Sequence, residues 1–363
     1  MILLLGQAVP LPAPREVLDA LSSVQVTNDA QNGDGFQITF MLSKNQPVDY
    51  NLLQSGALSP STRVIIGSCS ASTPEVLIDG IITHHQHAPS ADPGQSTLTV
   101  TGKDVGIMLD LEEKNEKYEN QPDFLIATQL IASYAQYGLV PTVTPTTDVP
   151  IMIQRIPRQQ ETDLKFIQRM AQRNGFVFYV EPLTFGVNTA YWGPENRLGV
   201  PQPRLTLGQG PSGNLKSLHF TQDALAPVST SGTFVEPITK TAIPIPPLPS
   251  LRIPPLALSP TAALRKVLLR DTSNQNPAQA ATSALAQATN APDSVNGSGE
   301  IDSVRYGNVL RARKLVNIRG AGLSYDGTFY VKSVTHTITR GDYKQSFAVS
   351  REGTGSILPV VAP

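Results

Sequence analysis

Three imidazoles in four residues, His84-His85-Gln86-His87, form the first group in the chain whose type and spacing could do chemistry, because such a cluster can ligate zinc or a related metal. On a strand, His85 and His87 share one face and His84 points to the other. One face therefore supplies two ligands, and no third is predicted nearby. The following Ala88-Pro-Ser-Ala-Asp-Pro-Gly is a turn, so the histidines read as polar residues at a hairpin tip. Glu112, Glu113 and Glu116 could furnish paired carboxylates for acid–base work, but Glu112-Glu-Lys-Asn-Glu-Lys reads as a solvated helix end or loop. His336 could act as a general base. No Ser/Asp or Cys partner pattern surrounds it, which makes it a structural strand histidine. Cys69 is the single cysteine, so neither an intrachain disulfide nor a cysteine-rich metal site is possible. It reads as a small core residue of a strand, Val64 to Ser70. No nucleophile elbow, phosphate loop, HExxH or dinucleotide fingerprint occurs. The chain is expected to be no enzyme, with no catalytic residue, no metal and no cofactor.

Binding chemistry is better represented. Lys165, Arg169 and Arg173 stand four apart and form one basic stripe on a helix, suited to an acidic partner surface or to passing nucleic acid. An ordinary solvated face, partnered by Glu161, Asp163 or neighbouring loops, accounts for the same residues, and three charges are few by nucleic-acid standards. Trp192 and neighbouring tyrosines could form a stacking platform for a sugar. One tryptophan and 6% aromatic residues give that reading little material.

The element that carries the stripe is the centre of the chain. In Gln160 to Glu181, Leu164, Ile167, Met170 and Ala171 recur at helical spacing on one face. Thr162 caps the start, Asp163 suits the positive end of the helix dipole, and Gly175 provides the left-handed stop. Phe176 to Val180 is aromatic and β-branched and turns straight into a sheet.

At 363 residues the chain can hold two or three domains. Its 28 basic and 29 acidic residues give no global field for nucleic acid or an anionic membrane. Met1-Ile-Leu-Leu-Leu is too short, and lacks the basic leader, for a signal peptide; no run reaches transmembrane length. Residues 15 to 102 alternate as short strands, Phe36, Ile38 and Phe40 against Gln37 and Thr39, which predicts a small barrel or sandwich. Val105 to Leu111 and Phe124 to Tyr137 switch to helical spacing, and 139 to 159 runs extended. Strands follow near Ala190 to Trp192, Arg204 to Leu207 and Leu215 to Thr221. Val235 to Pro260 is then Pro-rich and apolar, favouring polyproline II over a central strand. Thr261 to Leu269 and Ala278 to Ala288 read as helices, and Asn290 to Gly299 as loop. Strands return at Ser303 to Tyr306, Lys314 to Ile318, Thr328 to Thr337 and Gln345 to Val349. Simple alternation sets Phe329, Val331 and His336 on opposite faces, so part of that strand is expected to face outward. The tail from Ser356 is apolar and Pro-rich.

Two stretches carry a family resemblance. Thr162 to Val180, with Thr-Asp-Leu-Lys-Phe-Ile, Met-Ala and Asn-Gly-Phe-Val-Phe-Tyr-Val, is similar to a pattern in phage late control protein D. Arg319 to His336 continued by Tyr343 to Arg351 resembles that family's late strand pair, with Gly327, Phe329, Val331, Val334 and His336 in its places. The resemblance spans the chain in order of elements, and its motifs are apolar. It implies a mainly β fold with α (α+β). The first hub β-barrel would occupy 1–105 and a helical/α+β middle domain 106–174. A second hub β-barrel would be split over 175–235 and 300–352, with a Pro/Ala-rich insertion at 236–299 and a tail at 353–363. Relatives also look interrupted at the insertion, while this Pro-rich composition is a departure.

The function implied is a structural baseplate hub of a contractile phage tail or related contractile injection system. A homotrimer of two-barrel chains would join the central spike protein to the six-fold tail tube. Its other contacts would be wedge proteins of the baseplate and the tape measure protein, with nucleic acid only as passing cargo. This chain would not insert into a membrane. Assembly in the host or producer cytoplasm and residence in a virion baseplate or injection particle follow from the same resemblance. From another class stands a carbohydrate- or surface-binding β module of a virion or cell-surface assembly.

Overall fold

The alternation of Phe36, Ile38 and Phe40 with polar residues becomes the strand Gly35–Met41, and all three apolar side chains are buried. This computed structural model describes residues 1–7, 10–43, 50–70, 73–92, 94–146, 148, 150, 156–208, 210, 213–235, 241–248, 252–269 and 277–357. Parts of the extended run 139–159, of the 236–299 segment and of the tail, including Pro237, Pro249 and 358–363, lie outside the described residues. The fold is mainly β with few helices. Thirteen strands belong to one sheet. From one open edge its main path runs Leu215–Gln222, Val295–Asp302, Asp342–Arg351, Gly327–Thr339, Leu21–Asp29, Gly35–Met41 and Thr97–Asp104. It continues through Thr73–Ala88, Arg63–Ser70, Ile2–Gly6 and Leu11–Pro12, and neighbours on this path are antiparallel. Leu315–Arg319 adds to Gly327–Thr339, and Gln202–Thr206 lies parallel beside it.

The pairing of Leu21–Asp29 with Gly327–Thr339 joins the early strands to the late ones. Part of this strand does face outward, at Thr339, but the expected opposition of Phe329 and Val331 to His336 is corrected here. Register shifts between Val331 and Ser333, and the extra residue, Lys332, returns the later side chains to the inner face. Phe329, Val331, Val334 and His336 are all at 0% exposure.

The central helix, Asp163–Asn174, packs on a separate, smaller three-stranded sheet that includes Val177–Thr184 and Val187–Gly193. Thr162 Oγ1 accepts from Lys165 N, and Gly175 stops the helix at φ 67°. Phe166, Ile167, Met170 and Ala171 pack on Ile126, Ile131, Val180, Ala190 and Trp192. Trp192 is wholly buried and donates Nε1–H to Ile167 O at 3.2 Å. Glu113–Lys117 is a strand, not a helix end or loop, because it pairs with Arg158–Thr162 across five residues. Lys114 also reaches the buried Asp163 at 2.6 Å.

The later segment departs most from what the sequence predicts. Ala242–Leu248, within the Pro-rich run, is a strand paired with Val228–Val235. Among the described residues it has no other strand partner, which suits prolines that cannot donate to a second ladder. Thr261 to Leu269 holds the strand Arg265–Leu268, running parallel to Val228–Val235, instead of a helix. Pro277–Thr289 is helical as expected. Asn290 to Gly299 is not simply loop, since Val295–Asp302 is flanked by strands on both sides. Its glycines give a physical reason: a Cβ at Gly297 would lie 2.6 Å from the Phe220 ring. Ser303–Tyr306 is a single helical turn instead of a strand, because Asp302 caps it and Gly307 stops it at φ 66°. Gly353–Ser356 pairs with Ala257–Pro260, so the tail begins inside a ladder.

Three arginines tie these parts together. Arg63 pairs with Asp79 and donates to Tyr137 O at 2.9 Å, linking the early sheet to the helical region. Arg311 reaches Glu75 at 2.7 Å and Val76 O. Arg313 forks onto Asp34, donates to Asp29 O and lies 4.4 Å from the Tyr179 ring centroid. Both members of the Arg313–Asp34 pair are essentially excluded from solvent, with side-chain exposures of 2% and 1%. Arg313→Met should therefore destabilise the chain by roughly 3–5 kcal/mol by stranding the Asp34 charge. Adding Asp34→Leu should recover part of that loss. A denaturant midpoint for Arg313→Met equal to wild type would refute the assignment.

Candidate assembly surfaces

The basic stripe lies on the outer side of the central helix, opposite the buried face. Lys165 is exposed. Arg169 donates Nε–H to Glu161 at 2.7 Å and an Nη2–H to Arg158 O at 3.0 Å, with its guanidinium carbon 5.0 Å from the Phe166 ring centroid. Arg173 pairs with Asp123, which also accepts from Asn174 at 2.7 Å. Two of the three cations therefore have carboxylates that fix their direction, and among the described residues Lys165 has none. The stripe gains neighbours that sequence spacing did not bring together. Arg158 enters because its strand precedes the helix, and Lys266 because Arg265–Leu268 and Pro277–Thr289 flank it. Lys266 lies about 100 residues along the chain from the helix, so no local periodicity could have assigned it.

The other candidates that the sequence suggests are dispersed. The histidine run lies within the sixteen-residue strand Thr73–Ala88, paired with Thr97–Asp104, and not at the hairpin tip. His84 Nδ1 is 2.9 Å from Thr83 Oγ1, His85 Nε2 meets Leu58 O, and His87 makes an edge contact with Tyr50. Among the described residues no group of three or more His, Cys, Asp or Glu is placed to hold a metal. Cys69 is in the strand Arg63–Ser70. Glu113 and Glu116 stand on the Glu113–Lys117 strand, with backbone partners Thr162 and Gln159. Trp192, inside the core, cannot serve as a stacking platform. An open cleft of about 560 Å³ is lined by the stacked Tyr179 and Tyr191, with the Arg311, Lys314, Glu75 and Glu181 charges around it. Those charges are paired with one another.

Two titratable groups lie at the junction, Asp104 half-buried and His336 buried. Asp104 accepts from Asp34 N at 3.0 Å and Gly106 N at 2.7 Å. Burial, then the Asp34 charge, push its carboxyl up to about 7 against the opposing effect of those N–H groups and of Arg313. His336 Nδ1 is 2.9 Å from the Tyr343 hydroxyl, while its Nε2 has no hydrogen-bond partner. Burial, with Arg311 adding repulsion, lowers it to about 3, so the ring is neutral.

The fold as a whole has recognisable counterparts. It is similar to the tail protein from Neisseria meningitidis MC58, at 14% identity and a TM-score of 0.61, covering 98% of this chain and 96% of that one. The 43 kDa tail protein of prophage MuSo2 from Shewanella oneidensis aligns at 12% identity and a TM-score of 0.64, over 97% and 99% of the two chains. The E. coli c3393 protein, a type VI secretion component with structural similarity to T4 tail proteins gp27 and gp5, aligns at 13% identity and a TM-score of 0.58, over 94% and 77%. At this identity what is shared is the fold. No curated protein matches the chain in sequence. The family model for the Alg8 N-terminal domain matches residues 16–200, just over half of the 363 residues, and the chain belongs to that family.

The two junction groups oppose one another in pH. Asp104, raised from its ordinary value of 3.8, stabilises the fold fully below that value, and the contribution is lost as pH rises through about 7. His336, lowered from 6.5, contributes fully above 6.5 and loses its contribution as pH falls toward about 3. In thermal melts, the lead of wild type over Asp104→Asn should shrink as pH rises to about 7. Its lead over His336→Phe should shrink as pH falls below 6.5. Leads that stay constant across pH would contradict both assignments.

Proposed function

We propose that this chain is a structural hub subunit of a contractile phage-tail baseplate or a related contractile injection system, of the late control protein D kind. The observation that carries the reading is a fold shared over nearly the whole chain with two tail proteins and most of a type VI secretion component. In this reading 1–105 forms the first hub barrel and 175–235 with 300–352 the second. Residues 106–174 make the middle domain, 236–299 the insertion and 353–363 the tail. Three chains form a ring that offers six similar units to the tail tube and a three-fold seat to the central spike protein. The thirteen-stranded sheet supports this in a specific way. Inside one chain, Leu21–Asp29 and Gly327–Thr339 already pair edge to edge across the two halves. Among the described residues Leu215–Gln222 has a strand partner on one side only, and a closed ring gives such an edge a partner.

A mechanical role of this kind requires rigid junctions and partner surfaces, and no reacting group. Spike, tube, wedge and tape measure proteins are the partners proposed, with nucleic acid as passing cargo. The particle, a virion baseplate or an injection device, is the proposed location. The carbohydrate-binding alternative is not retained, because Trp192 is enclosed in the core.

The test is the absolute mass of the purified chain, alone and mixed with the spike protein from the same source. A trimer that captures three spike chains is the expected result. A monomer at high concentration that ignores both spike and tube protein would end the hub reading.

A further inference from the structure

We infer that the outer face of the central helix is a docking surface for an acidic polypeptide segment bearing an apolar anchor side chain. Two cavities flank the Arg169–Arg173 row and share both residues. The smaller, about 280 Å³, has an apolar floor that includes Phe166 and Met170, with the guanidinium groups of Arg158, Arg169 and Arg173 around it. The larger, about 940 Å³, opens between the central helix, the helix Pro277–Thr289 and the strand Arg265–Leu268. Lys266 and Leu268 stand on its far wall, and Leu268 is 68% exposed.

Charge and polarity choose the occupant. Among the described residues no carboxylate lines either cavity. Four cations line them, Arg158, Arg169, Arg173 and Lys266, and exposed Lys165 lies one helical turn before Arg169; against these stand two carboxylates, Glu161 and Asp123. Glu161 and Asp123 each hold one arginine from the side, which orders the guanidinium groups without surrounding them. An ordered guanidinium meets a further carboxylate with charge-assisted hydrogen bonds at low entropic cost. The apolar floors call for a leucine-like or aromatic anchor beside that carboxylate. Nucleic acid fits less well. A phosphate backbone is held mainly by unpaired cations, and here the row is partly neutralised and interrupted by apolar surface.

The inference rests on the reading of the chain as an assembly subunit, and binding separates the two. The full chain is titrated, at low ionic strength and by fluorescence anisotropy, against a labelled peptide of alternating Glu and Leu. A Lys/Leu counterpart and a mixed-sequence single-stranded DNA serve as the other probes. The Glu/Leu peptide should bind and the other two should not. Lys165→Glu combined with Lys266→Glu should weaken binding roughly tenfold, as expected for two lost partly exposed charge pairs turned repulsive. Leu268→Ser should weaken it through the anchor. All three positions are exposed, so melting curves should stay at wild type. Failure of the Glu/Leu peptide to bind, unchanged affinity in the variants, or preferential DNA binding would each overturn the inference. A chain that trimerises and captures spike while ignoring the peptide loses this site and keeps the hub reading.

Discussion

A guanidinium buried between two halves of a sheet constrains everything around it. Arg313 is fully charged and nearly excluded from solvent, so its surroundings must supply counter-charge and acceptors or the fold fails. They come from separate places in sequence. Asp29 ends an early strand, Asp34 lies in the turn after it, and the Tyr179 ring belongs to the strand that follows the central helix. Arg313 itself takes a left-handed backbone, φ 63°, held by its N–H to Val331 O at 2.8 Å. Replacing such a network with apolar side chains would not have to cost stability. What the charges contribute is position, since an apolar contact tolerates sliding and a forked ion pair does not.

Arg311 repeats the device at the same junction, Arg63 does so between the early sheet and the helical region, and a fourth buried network does so for the Pro-rich segment. Arg252 donates to Thr289 O at 2.9 Å and Ala291 O at 2.6 Å and approaches Asp293. Burial alone would raise the Asp293 carboxyl, yet Arg252 and Arg197 hold it below the ordinary carboxylate range. Glu352 accepts from Ala257 N at 2.8 Å and from Arg197 at 2.9 Å. Proline removes backbone donors, so a Pro-rich run has fewer ladder bonds with which to fix itself. Side-chain charge takes over that task here, with two short strands, Ala242–Leu248 and Ala257–Pro260, as the regular parts.

What the sequence made legible was local. The central helix, its threonine cap, its glycine stop and its buried stripe follow from spacing within one short segment, and tertiary packing agrees with them. Elements defined by distant partners were not legible. Arg265–Leu268 has helical neighbours in sequence and becomes a strand because Val228–Val235 lies beside it. Val295–Asp302 looks like a turn because of Gly297 and Gly299, whose missing side chains admit the rings of Phe220 and Phe347. The bulge at Lys332 inverted the facing of every later residue in its strand, including His336. The stripe Lys165, Arg169, Arg173 was readable, but Arg158 and Lys266, which turn a stripe into a trough, were not.

The near-zero net charge therefore says little about how the charges are used. Arginines dominate the buried pairs, at 63, 197, 252 and 313, each with a carboxylate that arrives from elsewhere in the chain. Lysines 165 and 266 are exposed and, among the described residues, have no carboxylate partner. The division follows from chemistry. A planar, weakly hydrated guanidinium can be desolvated against a carboxylate and still satisfy its fork, whereas an ammonium keeps its water. Charges already matched inside set the junctions of one chain. Exposed charges are screened and contribute little to stability alone, so their sign and clustering matter most where another surface removes the water between them.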